Sequence, residues 1–505
     1  MRAGILHASR FVLLGGATAL AFFAGGYFDE PRAWAGLVVW GLVAVGLLLE
    51  PRALPRSLGA WLAIGGLFAF GAFTLLSMLW APIVGNAYHA GQIVFLYLGG
   101  LIASALLLRD PAAQRITVPA LAAGALIVIG YGISERLLPG LLHFARSVSA
   151  QGRLEQPLTY WNAMGELAAL GFVLSARVAG DSERAPALRA TAAAACAPLG
   201  LGLYLSFSRG ALFACVAGLV ALVVLAPRRS QLEGLLIAVL AGALASAAAA
   251  PFRGVTSLAG PLGTRESQGA ATLALLVLIA GFAAAASWWR SRHLADGGLR
   301  LPRHRGWIAL GIICAGLALA IVIGSKETAG VPLSGGVSRF GTLQSNRYDY
   351  WSVAFRAFSA QPIHGVGAGG WSVWWLRYRP INDFAQDAHS LPLQTLAELG
   401  LVGILLLIAF FAGLALAARR AVRVSPVLAA GPVAGLVTYA AHAPLDWDWQ
   451  MPAVTLVAIV LAGAVLALAE RTPGSTEAVQ SPLSARPRAP RARRGRVSRQ
   501  LRDSS

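Results

Sequence analysis

Apolar residues run along this chain in long blocks broken by short polar connections, and crossing about 30 Å of hydrocarbon takes roughly 20 of them in a helix. On that spacing, segments near 11–28, 33–49, 58–80, 87–108, 117–135, 161–176, 190–206, 210–226, 231–250, 270–289, 307–324, 391–418, 424–441 and 452–469 are predicted to be transmembrane helices. The first follows MRAGILHASR without a small-residue cleavage site and reads as an anchor. Small-residue stretches such as AGALASAAAA predict close helix packing. The expected architecture is an all-α polytopic bundle of 12–14 transmembrane helices. Its regions are helices 1–11 over residues 1–324, an extracytoplasmic loop over 325–390 carrying short amphipathic helices, three further helices over 391–470, and a tail over 471–505.

Composition excludes a soluble domain. Hydrophobic residues make up 57% and charged ones only 12%, with a mean hydropathy of +0.66, against about 25% charged in ordinary soluble domains. The net charge of +19 raises the question of nucleic acid, yet the arginines fall in loops and in a Pro-, Ser- and Arg-rich tail. That tail is expected to be disordered and to adhere to anionic headgroups, so no nucleic-acid partner is expected. Cys196, Cys215 and Cys314 sit in apolar runs without C-x-x-C spacing, which leaves neither a disulfide framework nor a metal cluster.

The basic residues also orient the bundle. With a cytoplasmic N-terminus, alternate connections collect 28 of the 41, and the positive-inside rule then places both termini in the cytoplasm of a multi-pass inner-membrane protein. Cations remaining on the outer face are not explained by that rule. Arg136, Arg146 and Arg153 share one loop, and Lys326, Arg339, Arg347, Arg356, Arg377 and Arg379 share another. A face that gathers cations in two loops is expected to meet an anion.

The longest polar interruption, Arg339 to Gly403, is where chemistry is expected. From Arg347 onward, Tyr348, Trp351, Phe355 and Phe358 fall on one helical face, which predicts an interfacial helix with Arg347 at its start. His389 precedes Ser390, Leu391 and Pro392, a helix start with a capping hydroxyl and a first-turn proline. That positive helix end disfavours imidazolium and attracts anions, and a neutral imidazole beside an anion site suits a general base; a merely capping, interfacial histidine is the plainer alternative. Arg209, in SFSRGAL, lies at an outer boundary where an arginine needs a partner. In HAPLDWDWQMP, Asp446 is placed either to orient His389 or to pair an arginine, and one His with two Asp defines no metal site. Glu398, about two turns into its helix, should be paired or hydrogen-bonded. Gly365 and Gly367 read as a turn, because no parallel strand precedes them.

The pattern Arg347-x-x-x-Trp351, then Pro362-x-x-Gly365-x-Gly367, then His389 opening a helix with Glu398, Gly400 and Gly403, resembles the O-antigen ligase and polymerase family. The resemblance spans roughly residues 150–460 and implies a GT-C-like membrane fold with a polyprenyl-diphosphate-linked glycan donor, a lipid or glycan acceptor, and an extracytoplasmic site. It implies His389 as the catalytic base and Arg209 and Arg347 as contacts to the donor diphosphate. Arg153, Tyr160, Asn162, Arg377 and Asp446 are expected further contacts. Together with the leaving-group chemistry of a diphosphate, it implies inversion with no metal and no cofactor. The chain departs from the family in having Ser390 where Asn is common and in exceeding its usual twelve or so spans. A polymerase using the same donor, or a polyprenyl-glycan flippase, are the alternatives.

Overall fold

A computed structural model describes residues 1–49, 54–293 and 345–471. The elements among them are helical, with no strand. In order they are α1 (Arg2–Ala21), α2 (Asp29–Leu49), α3 (Leu58–Leu76), α4 (Val84–Leu107), α5 (Pro111–Leu137), α6 (Trp161–Gly180), α7 (Pro186–Leu205), α8 (Arg209–Leu225), α9 (Arg229–Ala249), the short α10 (Arg253–Thr256) and α11 (Leu262–His293). After residue 345 come α12 (Arg347–Ala360), α13 (Trp371–Tyr378), α14 (Leu391–Val424), α15 (Pro426–His442) and α16 (Pro452–Ala469).

Eleven of these helices are long and apolar enough to cross a membrane, and α8 and α15 are shorter, with 17 residues each. The protein is a multi-pass helical membrane bundle. The expected segment at 307–324 and the tail lie outside the described residues. Large apolar side chains such as Leu37, Phe68, Leu244 and Phe282 stay exposed on the outer helices, a surface suited to hydrocarbon rather than water.

Two helices form the centre. Both α6 and α16 are wholly enclosed by protein, with α5, α7, α8, α9 and α15 around α6, and α1, α4, α14 and α15 against α16. Close approach depends on missing side chains: a Cβ on Gly200 of α7 would lie 2.4 Å from the Cα of Gly242 in α9, the packing expected for the AGALASAAAA stretch.

Polar contacts sort onto two ends of the bundle. At the end where α1 begins and α16 finishes, Arg10 pairs with Asp110, Arg290 pairs with Glu233, and Glu470 accepts from the backbone N–H groups of Arg56 and Ser57 at 2.9 and 3.0 Å. At the opposite end lie the loop 138–160, the segment 345–390 and the loop 443–451. There a second, small core of Tyr350, Val353, Ala357, Trp371, Trp375 and Ala388 holds the segment together. The packed face of α12 is Tyr350, Val353, Ala354 and Ala357, while Trp351 and Phe358 are half-buried and Phe355 exposed on its flank.

The helix read as one continuous run from 391 is broken. Gly400 has φ +61° and ψ −156°, a region essentially restricted to glycine. The break frees backbone groups that residues 362–367 take up: Val366 N–H donates to Ala397 O (3.0 Å), Gly367 N–H to Glu398 O (2.8 Å), and Leu401 N–H to Pro362 O (2.9 Å). A Cβ at Gly365 would sit 2.2 Å from the Glu398 carbonyl carbon, and one at Gly400 2.4 Å from Ile363 O. The glycines read as a turn are thus sites of backbone contact. Gly400→Ala should cost at least about 1–3 kcal/mol, seen as a lower unfolding temperature of the detergent-solubilised protein, while Gly130→Ala, in open space, should leave it unchanged.

Candidate functional site

A cavity of about 850 Å³ opens where the three polar segments meet. Its wall takes Arg153, Tyr160 and Asn162 from the loop before α6 and its first turn, Arg347 and Tyr350 from α12, Asp387 and His389 from the run before α14, and Trp447 from the last loop.

Asp446 is the hub beneath it. Fully buried, it pairs with the Arg347 guanidinium through Oδ2, while Oδ1 accepts from Tyr160 OH at 2.7 Å and from Trp447 N–H at 2.9 Å. Asn162 Nδ2 donates onward to Tyr160 OH at 2.7 Å. Of the two partners weighed for Asp446, the direct contact is with the arginine. Burial pushes the Asp446 carboxyl up, but Arg347 and the nearby histidines outweigh it and hold the group below the usual carboxylate range. For Arg347 burial pulls down, and Asp446 with Tyr160 wins, raising the guanidinium further. Both therefore stay charged.

Arg153 is fixed differently. Nε and Nη2 donate to the carbonyls of Ala150 and Ser149 at 2.8 and 2.6 Å, and its guanidinium lies 3.7 Å over the Trp161 ring. Burial lowers its pKa to about 10, which leaves it cationic at neutral pH.

His389 occupies a left-handed backbone conformation, φ +52°, unusual for a non-glycine residue and worth asking about at a polar cavity. Its Nδ1 lies 2.8 Å from the Asp387 carbonyl oxygen. A carbonyl only accepts, so Nδ1 carries the proton and Nε2 keeps a lone pair. The ring leans on Tyr350 and Trp447, with centroids 5.1 and 5.9 Å away. Burial, with Arg347 adding to it, lowers the His389 pKa below the ordinary histidine value, against the opposing pull of Asp446. Neutrality thus comes mainly from enclosure rather than from the helix end emphasised in the sequence. Ser390 does stand at the N-cap of α14, but its hydroxyl makes no capping bond; the first N–H, of Leu391, goes to Ala443 O at 2.9 Å instead.

The other candidates are placed elsewhere. Arg209 is half-buried at the first turn of α8, whose cap is Ser208 Oγ accepting from Ala211 N–H at 3.3 Å, and it does not line this cavity. Arg377 is exposed on α13, beside the Tyr378 ring. Glu398, at the break in α14, accepts from the backbone N–H of Trp371 at 3.3 Å and from Gln394 at 3.4 Å, the hydrogen-bonded carboxyl expected there.

Several contributors escaped the sequence. Asp383 accepts from Tyr350 OH at 2.5 Å and Asn346 Nδ2 at 3.0 Å, tying α12 to the irregular run before α14. Tyr27, between α1 and α2, donates to Gln386 Oε1 at 3.0 Å. Beneath the hub, fully buried His442 pairs through Nδ1 with Asp448 and lies 3.8 Å from Glu166. Only the spacing of HAPLDWDWQ hinted at that pair, since α15 ends on the histidine and a short loop must return Asp448 to it. No group of His, Cys, Asp and Glu among the described residues is arranged to hold a metal ion.

Compared with known proteins, residues 255–408 match the family model described as O-Antigen ligase. The matched segment includes Arg347 and His389, while Arg153, Tyr160, Asn162 and Asp446 come from outside it. No curated protein matches the chain.

Proposed function

We propose, from the match of residues 255–408 to the O-antigen ligase family model, that the chain transfers a glycan from a polyprenyl-diphosphate donor to an acceptor hydroxyl outside the cytoplasm. The observation that carries this reading is a single cavity joining an imidazole with a free Nε2 to two guanidinium groups.

In the proposed reaction the acceptor oxygen attacks the anomeric carbon from the side opposite the diphosphate. A carbon–oxygen bond forms, the bond from the anomeric carbon to the phosphate oxygen breaks, and its electron pair leaves with the polyprenyl diphosphate. The acceptor proton moves to His389 Nε2 and then to solvent through the cavity. One displacement inverts the anomeric centre. The leaving group gains one negative charge, and Arg347 and Arg153 stabilise it without a metal. Asp446 fixes Arg347, and Tyr160 and Asn162 fix Asp446. Arg209, at a helix start at the same end of the bundle, is assigned to the approach of the diphosphate. Arginine distribution supports an extracytoplasmic cavity and cytoplasmic termini. A ligase and a polymerase share every step and differ in the acceptor.

The test is transfer by the purified full-length protein in nanodiscs, given lipid-linked glycan and a glycolipid extract. Product of inverted configuration, formed equally with EDTA, is expected; retention of configuration overturns the mechanism. Chain growth with donor alone assigns a polymerase. Because the His389 pKa is lowered, the neutral base persists below pH 6.5, so the acid limb of the rate profile should lie under that value. In Arg347→Gln, residual activity should show that limb moved upward, since a cation that disfavours imidazolium is gone; an unmoved limb would mean another group sets it.

A further inference from the structure

A second cavity, about 420 Å³, lies beside the first and shares a wall with it. Tyr27, Phe384, Gln386 and Asp387 border both, and the Tyr27–Gln386 hydrogen bond of 3.0 Å closes the partition. His389 hangs from this partition by its bond to the Asp387 carbonyl. We propose that the second cavity binds the acceptor as a carbohydrate held through its hydroxyl groups, a reading that rests on the glycan transfer proposed above.

The chemistry of the two walls differs in the way two such substrates require. The first presents Arg153 and Arg347. The second presents four primary amides, Asn86, Gln386, Gln394 and Gln450, which both donate to and accept from hydroxyls. Its carboxyl groups, Asp29, Asp387 and Glu398, face one guanidinium, that of Arg32. Arg32 is already committed, to Asp29 and to the Tyr27 carbonyl at 3.1 Å, and His89 Nδ1 lies 3.2 Å from the same Asp29. A diphosphate meets mainly acceptor-bearing groups on such a wall, whereas sugar hydroxyls bond to carboxyl and amide oxygens alike. Phe28 and Phe384 add apolar surface for the faces of sugar rings, and the volume falls within the ordinary range of small-ligand sites, about 300–1,000 Å³.

Position agrees with chemistry. Much of this wall, from Tyr27, Asp29 and Arg32 around the start of α2 and from Asn86 and His89 on α4, lies outside the segment matched by the family. Helices α2 and α4 thus contribute side chains to the second cavity and none to the first. An acceptor hydroxyl reaches His389 by crossing the partition, so the Tyr27–Gln386 bond opens during turnover.

The experiment compares wild type, Asn86→Leu, Gln450→Ala and Arg347→Ala as full-length proteins in nanodiscs, each checked for a wild-type unfolding temperature. Undecaprenyl diphosphate is the probe of the first cavity, and a glycolipid extract from the host envelope, serially diluted at saturating donor, is the probe of the second. Asn86→Leu and Gln450→Ala should each raise the half-saturating extract concentration about tenfold, the loss of one hydrogen bond, while binding undecaprenyl diphosphate as wild type does. Arg347→Ala should lose undecaprenyl diphosphate. An unchanged extract dependence in both cavity variants, or a parallel loss of undecaprenyl diphosphate, overturns the acceptor assignment. Failure of the wild type itself to bind undecaprenyl diphosphate and transfer glycan overturns the functional reading instead, and the acceptor site with it.

Discussion

Replacing His389 with Ala should lower glycan transfer by about 10²–10⁴-fold, the usual contribution of a positioned general base, while leaving the protein folded and the donor bound. The residue is at a loop position, its bond to the Asp387 carbonyl is local, and its ring contacts are at a cavity wall rather than in the packed bundle. Lipid-linked glycan should accumulate in membranes carrying this variant. His389→Gln is the stricter version, since an amide restores the hydrogen bond to the carbonyl without providing a base. Near wild-type transfer by either variant would leave His389 a structural residue.

Loss of the Arg347 guanidinium is expected to have two separable effects. Arg347→Ala removes the cation proposed to face the leaving diphosphate, costing about 10²–10³-fold in rate by analogy with other deleted charge-stabilising donors. It also strips a fully buried carboxylate of its ion partner. Breaking a buried pair on one side costs about 3–5 kcal/mol; here the lower end applies, because Tyr160 and the Trp447 N–H still bond to Asp446. The sign with pH follows from the lowered Asp446 pKa: its stabilising contribution is present above the ordinary carboxylate value and lost only as pH falls through the lower, folded one. Without Arg347, burial dominates and carries that pKa above the ordinary value, so the sign reverses: the unpaired carboxylate destabilises the variant increasingly as pH rises, and acidification relieves it. Arg347→Ala, Asp446→Asn should therefore recover stability relative to Arg347→Ala alone but not transfer. Recovery of transfer would remove the arginine from the chemistry.

Helices were legible in the sequence because a membrane-crossing helix is written as one uninterrupted apolar run, and every such run that falls on described residues is a helix. The break at Gly400 was not legible, since Leu399 and Leu401 flank it as they would in any helix; only the partner backbone at 362–367 makes the deviation favourable. The cavity was half legible. Arg347 and His389 stand out as polar residues at element boundaries, and Tyr160 and Asn162 mark a helix entrance. Their convergence on Asp446 depends on contacts across 99 and 286 residues, which no local pattern encodes. Arg209 and Arg377 carried as much sequence signal as Arg153, yet helix rotation and loop path placed only Arg153 at the cavity.

The wholly enclosed α6 bears on biosynthesis. It is one of the least apolar of the crossing helices, with a mean hydropathy of 1.3 against 2.8 for α14, and it contains Asn162, Glu166 and Arg177, each buried against protein. Charged groups oppose insertion by about 2.5–3.5 kcal/mol each at a helix centre and by less away from it, where Glu166 and Arg177 lie, so this segment gains less than the more apolar helices by partitioning into lipid alone. Of its neighbours, α5 precedes it, while α7, α8, α9 and α15 are synthesised after it. The ribosome thus delivers the middle of the bundle before most of the walls that shelter it, and stable integration of α6 waits on the chain that follows.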